Sequence, residues 1–93
     1  MKVYAIGQGT WNDVPGVYIF CVLTPTGWRP IYIGQCDSFR DRLTTNHHKW
    51  PCIAGHGATH VHAMVVNGGE VVRRGIEADL LEVYNTPCND QLN

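Results

Sequence analysis

Residues 16–34 read GVYIFCVLTPTGWRPIYIG, and the rest of the chain can be placed around them. From Gly16 to Leu23, β-branched and aromatic side chains predominate. Such residues suit a pleated, half-buried surface, so the run is predicted as a strand. Thr24-Pro25-Thr26-Gly27 gathers turn formers, and Arg29 to Ile33 resumes the strand composition. The two runs are expected to pair antiparallel through a loop longer than the tightest turns. Alternation in the first run puts Val17, Ile19 and Cys21 on one face and Tyr18, Phe20 and Val22 on the other. Both faces are apolar, which predicts a central strand of a small sheet covered on both sides. Each arm of the hairpin carries a tyrosine, Tyr18 on one and Tyr32 on the other.

Downstream, Asp37-Ser38 signals a helix start, and Ser38 with Asp41 fits a capping-box spacing, predicting a helix from about Ser38 to Asn46. Phe39 and Leu43 share its buried face. Arg42 falls at the edge of that stripe, over the sheet end that carries the tyrosines, while Arg40 points outward. Residues from Ala58 to Val66 read as a strand, and Asn67-Gly68-Gly69 as a turn. The longest helical run follows, Glu70 to about Asn85, with Val72, Ile76, Leu80 and Val83 as the face that covers the sheet. Gly75 weakens that helix by about 1 kcal/mol relative to alanine and would permit close approach to a strand. Glu77 adjoins Ile76 at the edge of the buried face, where the ordinary alternative is a surface pair with Arg73. Pro87 stops the helix, and Cys88-Asn89-Asp90 is expected to return toward the sheet.

Upstream, residues 2–6 (KVYAI) form either an additional edge strand or an extended lead-in. Turn formers around Trp11, including Gly7-Gln8-Gly9-Thr10, make a loop that ends at Pro15. Trp11 and Trp28 are expected to pack rather than to stack on bases.

Ninety-three residues suit one domain, 1–93. No stretch resembles a secretory signal or is long and apolar enough to cross a bilayer, so a soluble, cytoplasmic protein without membrane contact is expected. Cys21, Cys36, Cys52 and Cys88 form no CxxC pair and are expected to be reduced. A net charge of −1 argues against tight, non-specific DNA binding. Local patches remain, at Arg40, Arg42, His47, His48 and Lys49 and at Arg73-Arg74. All five histidines lie between Thr44 and His62, with Cys52 among them. That clustering raises a zinc site, but the spacing fits no standard signature, and a polar strand face plus a loop is the alternative.

With these residues in place, the chain resembles the GIY-YIG nuclease family. The first tripeptide here is Gly16-Val17-Tyr18 and the second Tyr32-Ile33-Gly34, and Arg42, Glu77 and Asn89 fall where the family's arginine, glutamate and asparagine would. The resemblance spans residues 16–89. It implies an α+β fold, a small central antiparallel sheet flanked by helices in the order β-β-α-β-α. It also implies a DNA endonuclease that uses Mg²⁺ or Mn²⁺, with Tyr18, Tyr32, Arg42, Glu77 and Asn89 as catalytic residues and Glu77 as the metal ligand. Gly34, Gln35, Arg40 and His47 would line the substrate. Many relatives carry lysine where Gln35 stands, and a histidine or tyrosine one helical turn after the arginine, where this chain has Asn46 followed by His47 and His48.

The chemistry suits these residue types. Arg42 offers a planar, permanently charged fork to a phosphate, and Mg²⁺ needs only one or two carboxylates because it keeps several waters. Tyr18 would help to activate water, which at an ordinary pKa of about 10 requires nearby positive charge. Tyr32 would orient water or phosphate, and Asn89 would hold the local geometry. DNA is the expected partner, bound weakly, with an additional DNA-binding domain, a partner protein or a homo-oligomer supplying affinity. The alternatives are a nuclease-derived module that binds nucleic acid with little cleavage, and a zinc-stabilised interaction domain.

Overall fold

The hairpin forms, and it is tighter than its composition suggests. In the computed structural model, which describes residues 1–8 and 10–89, a short β1 (Lys2–Ala5) precedes β2 (Gly16–Thr24) and β3 (Gly27–Cys36). Gly9 and Asp90, read from sequence as part of a loop and of the return toward the sheet, lie outside the described residues. Thr24 pairs directly with Gly27, so Pro25 and Thr26 alone make the turn, not a longer loop. Thr24 Oγ1 donates to the Gly27 carbonyl at 2.8 Å, and Gly27 adopts φ 128°, a conformation open to glycine. Further along, Phe20 faces Tyr32 while Cys21 faces Pro30, leaving Ile31 as the extra residue of a bulge. The bulge brings Ile31 into the same core cluster as Tyr32.

β4 (His60–Val65) completes a four-stranded antiparallel sheet in the order β1-β4-β2-β3. Residues 2–5 are thus an edge strand, and β2 is central. On one face, Tyr18, Phe20, Tyr32 and Cys36 pack with Phe39 and Ile53; on the other, Ile19, Cys21 and Ile33 meet Leu80 and Leu81. The helices that supply those partners, α1 (Phe39–Arg42), α2 (Trp50–Gly55) and α3 (Glu70–Val83), therefore cover both faces. Among the described residues, no helix is long and apolar enough to cross a membrane.

Several expectations are corrected. The first helix stops at Arg42 instead of Asn46. Ser38 Oγ caps it by accepting from Asp41 N, as expected, but Thr44, Thr45 and Asn46 are poor helix formers, and Thr44 Oγ1 draws the Asn46 N–H to itself at 3.1 Å. The chain then re-forms a helix where a loop is expected, α2, with Pro51 in its first turn, where a missing N–H costs nothing. On α3 the inward face is rotated from the one anticipated. Val72 and Val83 are 45% and 73% exposed, while Arg73 is buried and Ile76, Leu80 and Leu81 are half-buried. A side chain at Gly75 would meet nothing within 4 Å, so no strand approaches there. Cys52 and Cys88 are disulfide-bonded, with Cα atoms 5.8 Å apart; sequence could not anticipate this because 36 residues separate them. Cys21 and Cys36 are free and buried, and burial raises both thiols, Cys21 to about 11. Trp11 packs on Tyr4 and Phe39, and Trp28, although 42% exposed, edges against His60 and His62.

Candidate active site

Tyr18 is the centre of a small polar cluster sunk in the first of these cores. Its side chain is fully buried, and its hydroxyl lies 2.7 Å from His47 Nε2. The Lys49 N–H donates to His47 Nδ1 at 3.0 Å. Nδ1 is then the acceptor nitrogen of a neutral imidazole, so Nε2 carries the proton and donates to the Tyr18 oxygen. Arg42, half-buried at the end of α1, lies close enough for its positive charge to act on the same hydroxyl. Tyr32, on the same face of the sheet, has its ring centroid 6.1 Å from that of Tyr18 and 5.1 Å from that of His47. His48, exposed, stacks on His47 at 4.6 Å.

The early end of α1 explains which histidine meets the tyrosine. Had the helix continued, Asn46 would lie one turn beyond Arg42. Instead the turn after Leu43, tied by His47 N to Thr44 O at 3.0 Å, delivers His47 to the core. The Thr44-Thr45-Asn46 run is the sequence signal that could have revealed this.

Burial dominates the electrostatics here. It pushes the Tyr18 phenol well above its ordinary range, Tyr32 adds to the rise, and the positive Arg42 offsets only part of it. The condition set by the sequence reading, a net lowering by positive charge, is therefore not met while the cluster is closed. Burial, with His48 and Arg42 adding to it, lowers His47 to about 4. In the unfolded chain this imidazole protonates near 6.5, so the unfolded state holds the extra proton between pH 6.5 and 4. Stability is thus expected to fall as pH drops through that window. Urea midpoints measured from pH 7 to 4 check this, since His47→Gln should flatten the decline.

Gly34 pairs with Tyr18 across the hairpin and is itself buried. A Cβ there would stand 2.5 Å from the Tyr18 hydroxyl oxygen, 2.6 Å from its Cζ and 2.9 Å from Tyr32 Cε2. What requires glycine at this position is clearance for two rings.

Asn89 fastens the edge of the sheet. Its Oδ1 accepts from Ile33 N at 2.9 Å and its Nδ2 donates to Ile33 O at 2.8 Å, while Thr86 Oγ1 donates to the same Oδ1. Cys88 N adds a bond to Ile31 O at 3.0 Å. These contacts use the outward-facing groups of β3, the edge strand that bears Tyr32 and Gly34. Asn89→Ala is expected to cost about 1–2 kcal/mol by leaving the Ile33 amide and carbonyl without partners. Faster hydrogen exchange at Ile33 checks it; unchanged exchange would mean that residues 86–88 hold the edge unaided.

Glu77 belongs to the other layer. α3 packs on the Ile19 and Ile33 face, and one turn before Glu77 the buried Arg73 donates from Nε to Gln35 Oε1 at 2.9 Å. Arg73 is thus engaged with Gln35, a link that the sequence did not suggest. The Glu77 carboxyl is half-buried, and burial raises its pKa, with Arg74 pulling the other way. Arg40, expected to line the substrate, is exposed and paired with Asp13 at 3.3 Å and Asp41 at 3.2 Å. The fold therefore gathers Tyr18, Tyr32, Arg42 and His47 around one hydroxyl, while Glu77 stands part-exposed on α3, whose Arg73 meets Gln35 of β3.

For a metal, the donor chemistry separates two places. Glu77 provides one hard carboxylate, a fit for Mg²⁺, which binds few protein oxygens and keeps its waters. Among the described residues, the group of three or more ligand-type side chains close enough to share an ion is Cys52, His56 and Cys88. That set is too soft for Mg²⁺.

No family model matches the sequence, and no curated protein does. Solved structures do. The chain is similar to the GIY-YIG N-terminal endonuclease domain of UvrC from Thermotoga maritima, bound to its catalytic divalent cation, magnesium, at 30% identity with a TM-score of 0.68, covering 85% of this chain and 86% of that one. A single-residue variant of the same domain, also bound to its catalytic divalent cation, matches at 31% identity and a TM-score of 0.66 over the same shares.

Proposed function

The chain belongs to the GIY-YIG family of endonuclease domains, and we propose from that membership that it hydrolyses DNA phosphodiester bonds with one divalent cation, Mg²⁺ or Mn²⁺. The observation that carries the reading is the meeting of Tyr18, from the first tripeptide, with Arg42, from α1, at one hydroxyl opposite Gly34 of the second tripeptide. Arg42 binds the scissile phosphate through its fork of N–H donors, an attraction that grows as charge gathers on the non-bridging oxygens. Glu77 holds the cation; when bound, that ion supplies charge stabilisation at the departing oxygen.

Tyr18 is protonated at neutral pH in the closed cluster. Once water and substrate relieve its burial, donation from Arg42 and from His47 Nε2 favours the phenolate and prepares it to take a proton from water. Cleavage is accordingly expected to rise with pH above neutrality, a slope that a pH–rate profile of Tyr18→Phe should lack. Tyr32 orients water or phosphate, and Asn89 keeps the Tyr32-Ile33-Gly34 segment in position. At Gln35, the cation that relatives carry as lysine is supplied by Arg73, already bonded to that amide. Arg40 tracks the backbone by exchanging Asp13 for phosphate.

With a net charge of −1, affinity for DNA is weak, and a further DNA-binding domain, a partner protein or a homo-oligomer provides the rest. The cytoplasm, where DNA is at hand, is the proposed location. A second reading, a nucleic-acid-binding module with little cleavage, is favoured by one observation: the Tyr18 side chain is closed off from solvent. Incubation with plasmid, branched and single-stranded DNA in Mg²⁺ or Mn²⁺, beside Arg42→Ala, separates the two. Cleavage that Arg42→Ala loses supports the nuclease; binding without cleavage supports the module; equal cleavage by both proteins removes the assigned site.

A further inference from the structure

We propose that Cys52, His56 and Cys88 form a zinc site in the reduced protein, occupying the place that the disulfide holds in the oxidised one. The three ligand atoms lie within 4.8 Å of one another, on the side of the molecule where α2 meets the segment after α3. Cys52 and His56 are four apart, at the C-terminal turn of α2, and so project on one side of it. Cys88 comes from the other segment, 36 residues away.

Two of the three edges already have the size that zinc requires. With Zn–S near 2.3 Å and Zn–N near 2.0–2.1 Å, a tetrahedral ion sets each sulfur about 3.6 Å from the nitrogen and the two sulfurs about 3.8 Å apart. His56 Nδ1 lies 3.7 Å from Cys52 Sγ and 3.6 Å from Cys88 Sγ. Two adjustments remain: the sulfurs part, which cleavage of the disulfide allows, and the imidazole turns its Nδ1 from the Cys52 carbonyl toward them. Two thiolates and an imidazole are a donor set that selects zinc over Mg²⁺, and water takes the fourth position.

The proton inventory closes as well. In the disulfide form the Cys52 carbonyl can only accept, so the 2.9 Å contact with His56 Nδ1 places a proton on that nitrogen. On loading, the imidazole carries its proton on Nε2 instead, and the carbonyl keeps its bond from His56 N at 3.0 Å. A phosphine reductant converts the disulfide to two thiols, taking the oxygen of one water as phosphine oxide, and zinc then displaces the two thiol protons. In a reducing compartment, where disulfides are rare, the dithiol is the resident form. The site matters to the fold because Cys88 adjoins Asn89, whose amide holds the edge of β3. It owes nothing to Glu77, so the proposal stands or falls separately from the nuclease reading.

The test uses the whole chain, reduced with a phosphine, given one equivalent of Zn²⁺, and passed through a desalting column before metal analysis. Reduced protein should retain about one zinc per chain, and oxidised protein none. Co²⁺ in place of zinc should give thiolate-to-metal absorption with the visible bands of a tetrahedral ion. Cys88→Ser should abolish retention. His56→Gln, a change at an exposed residue that leaves the circular dichroism spectrum intact, should weaken binding at least about tenfold. Zinc held equally by wild type and His56→Gln would assign it to other histidines and overturn the proposal, as would a reduced wild type that retains none.

Discussion

Glu77→Gln is expected to abolish metal-dependent cleavage, lowering the rate by about 10³-fold or more, with no loss of stability. The two effects come apart because of how the side chain is set. Burial raises the Glu77 pKa, so the ionised form is disfavoured in the fold and stability is greatest where the group is protonated. A neutral amide of the same shape therefore keeps the packing and removes the cost of the charge at neutral pH. A cation, by contrast, requires the carboxylate, and an amide oxygen binds Mg²⁺ far less well. The same pKa direction means that Mg²⁺ binding should weaken on acidification at a pH above that of an ordinary glutamate. Single-turnover cleavage, urea denaturation and Mg²⁺ titration of both proteins check the three parts. Cleavage by Glu77→Gln at the wild-type rate would take this residue out of the reaction.

Gly34→Ala is expected to be the most damaging single methyl in the hairpin, costing about 3 kcal/mol by overpacking and removing most activity. The added carbon would press on the ring and hydroxyl of Tyr18 and on Tyr32, both held by packing from helices on their face. Neither ring can step aside without disturbing the contacts of Tyr18 with Arg42 and His47. Gly75→Ala is the matched control. It stands on α3 with nothing near its added carbon, so it should stabilise by about 0.5–1 kcal/mol through helix propensity alone. Thermal or urea unfolding of the two variants gives opposite signs if clearance is the cause, and the same sign if glycine flexibility is.

How far these positions were legible depends on the range of the forces that set them. Alternation in β2 correctly divided Tyr18 and Phe20 from Ile19 and Cys21, because side-chain direction in a strand is a local property with a period of two. The capping serine and the stripe of Phe39 and Leu43, with Arg42 at its edge, are likewise readable, since they involve neighbours within one turn. Local competition also decides where α1 ends, against the helix expected to reach Asn46: the Thr44 hydroxyl takes the Asn46 N–H from the helix. The inward face of α3 was missed for a different reason. Arg73 looked like a surface charge, but it is buried and donates from Nε to Gln35 of β3, which no helical periodicity could disclose.

The order of apolar and turn residues was thus sufficient for the central hairpin, the strand that follows Ala58 and the helix that begins at Glu70, because each follows from preferences of adjacent residues and from burial of one face. Folding in three dimensions was needed to join His47 to Tyr18, Arg73 to Gln35, Asn89 to Ile33 and Cys52 to Cys88. Those four links pair residues 29 to 56 positions apart, and contacts at such separations depend on how the sheet and helices pack. Bringing distant side chains to one point is a property of the assembled core, where burial and hydrogen bonding act together, and the preferences of neighbouring residues do not disclose it.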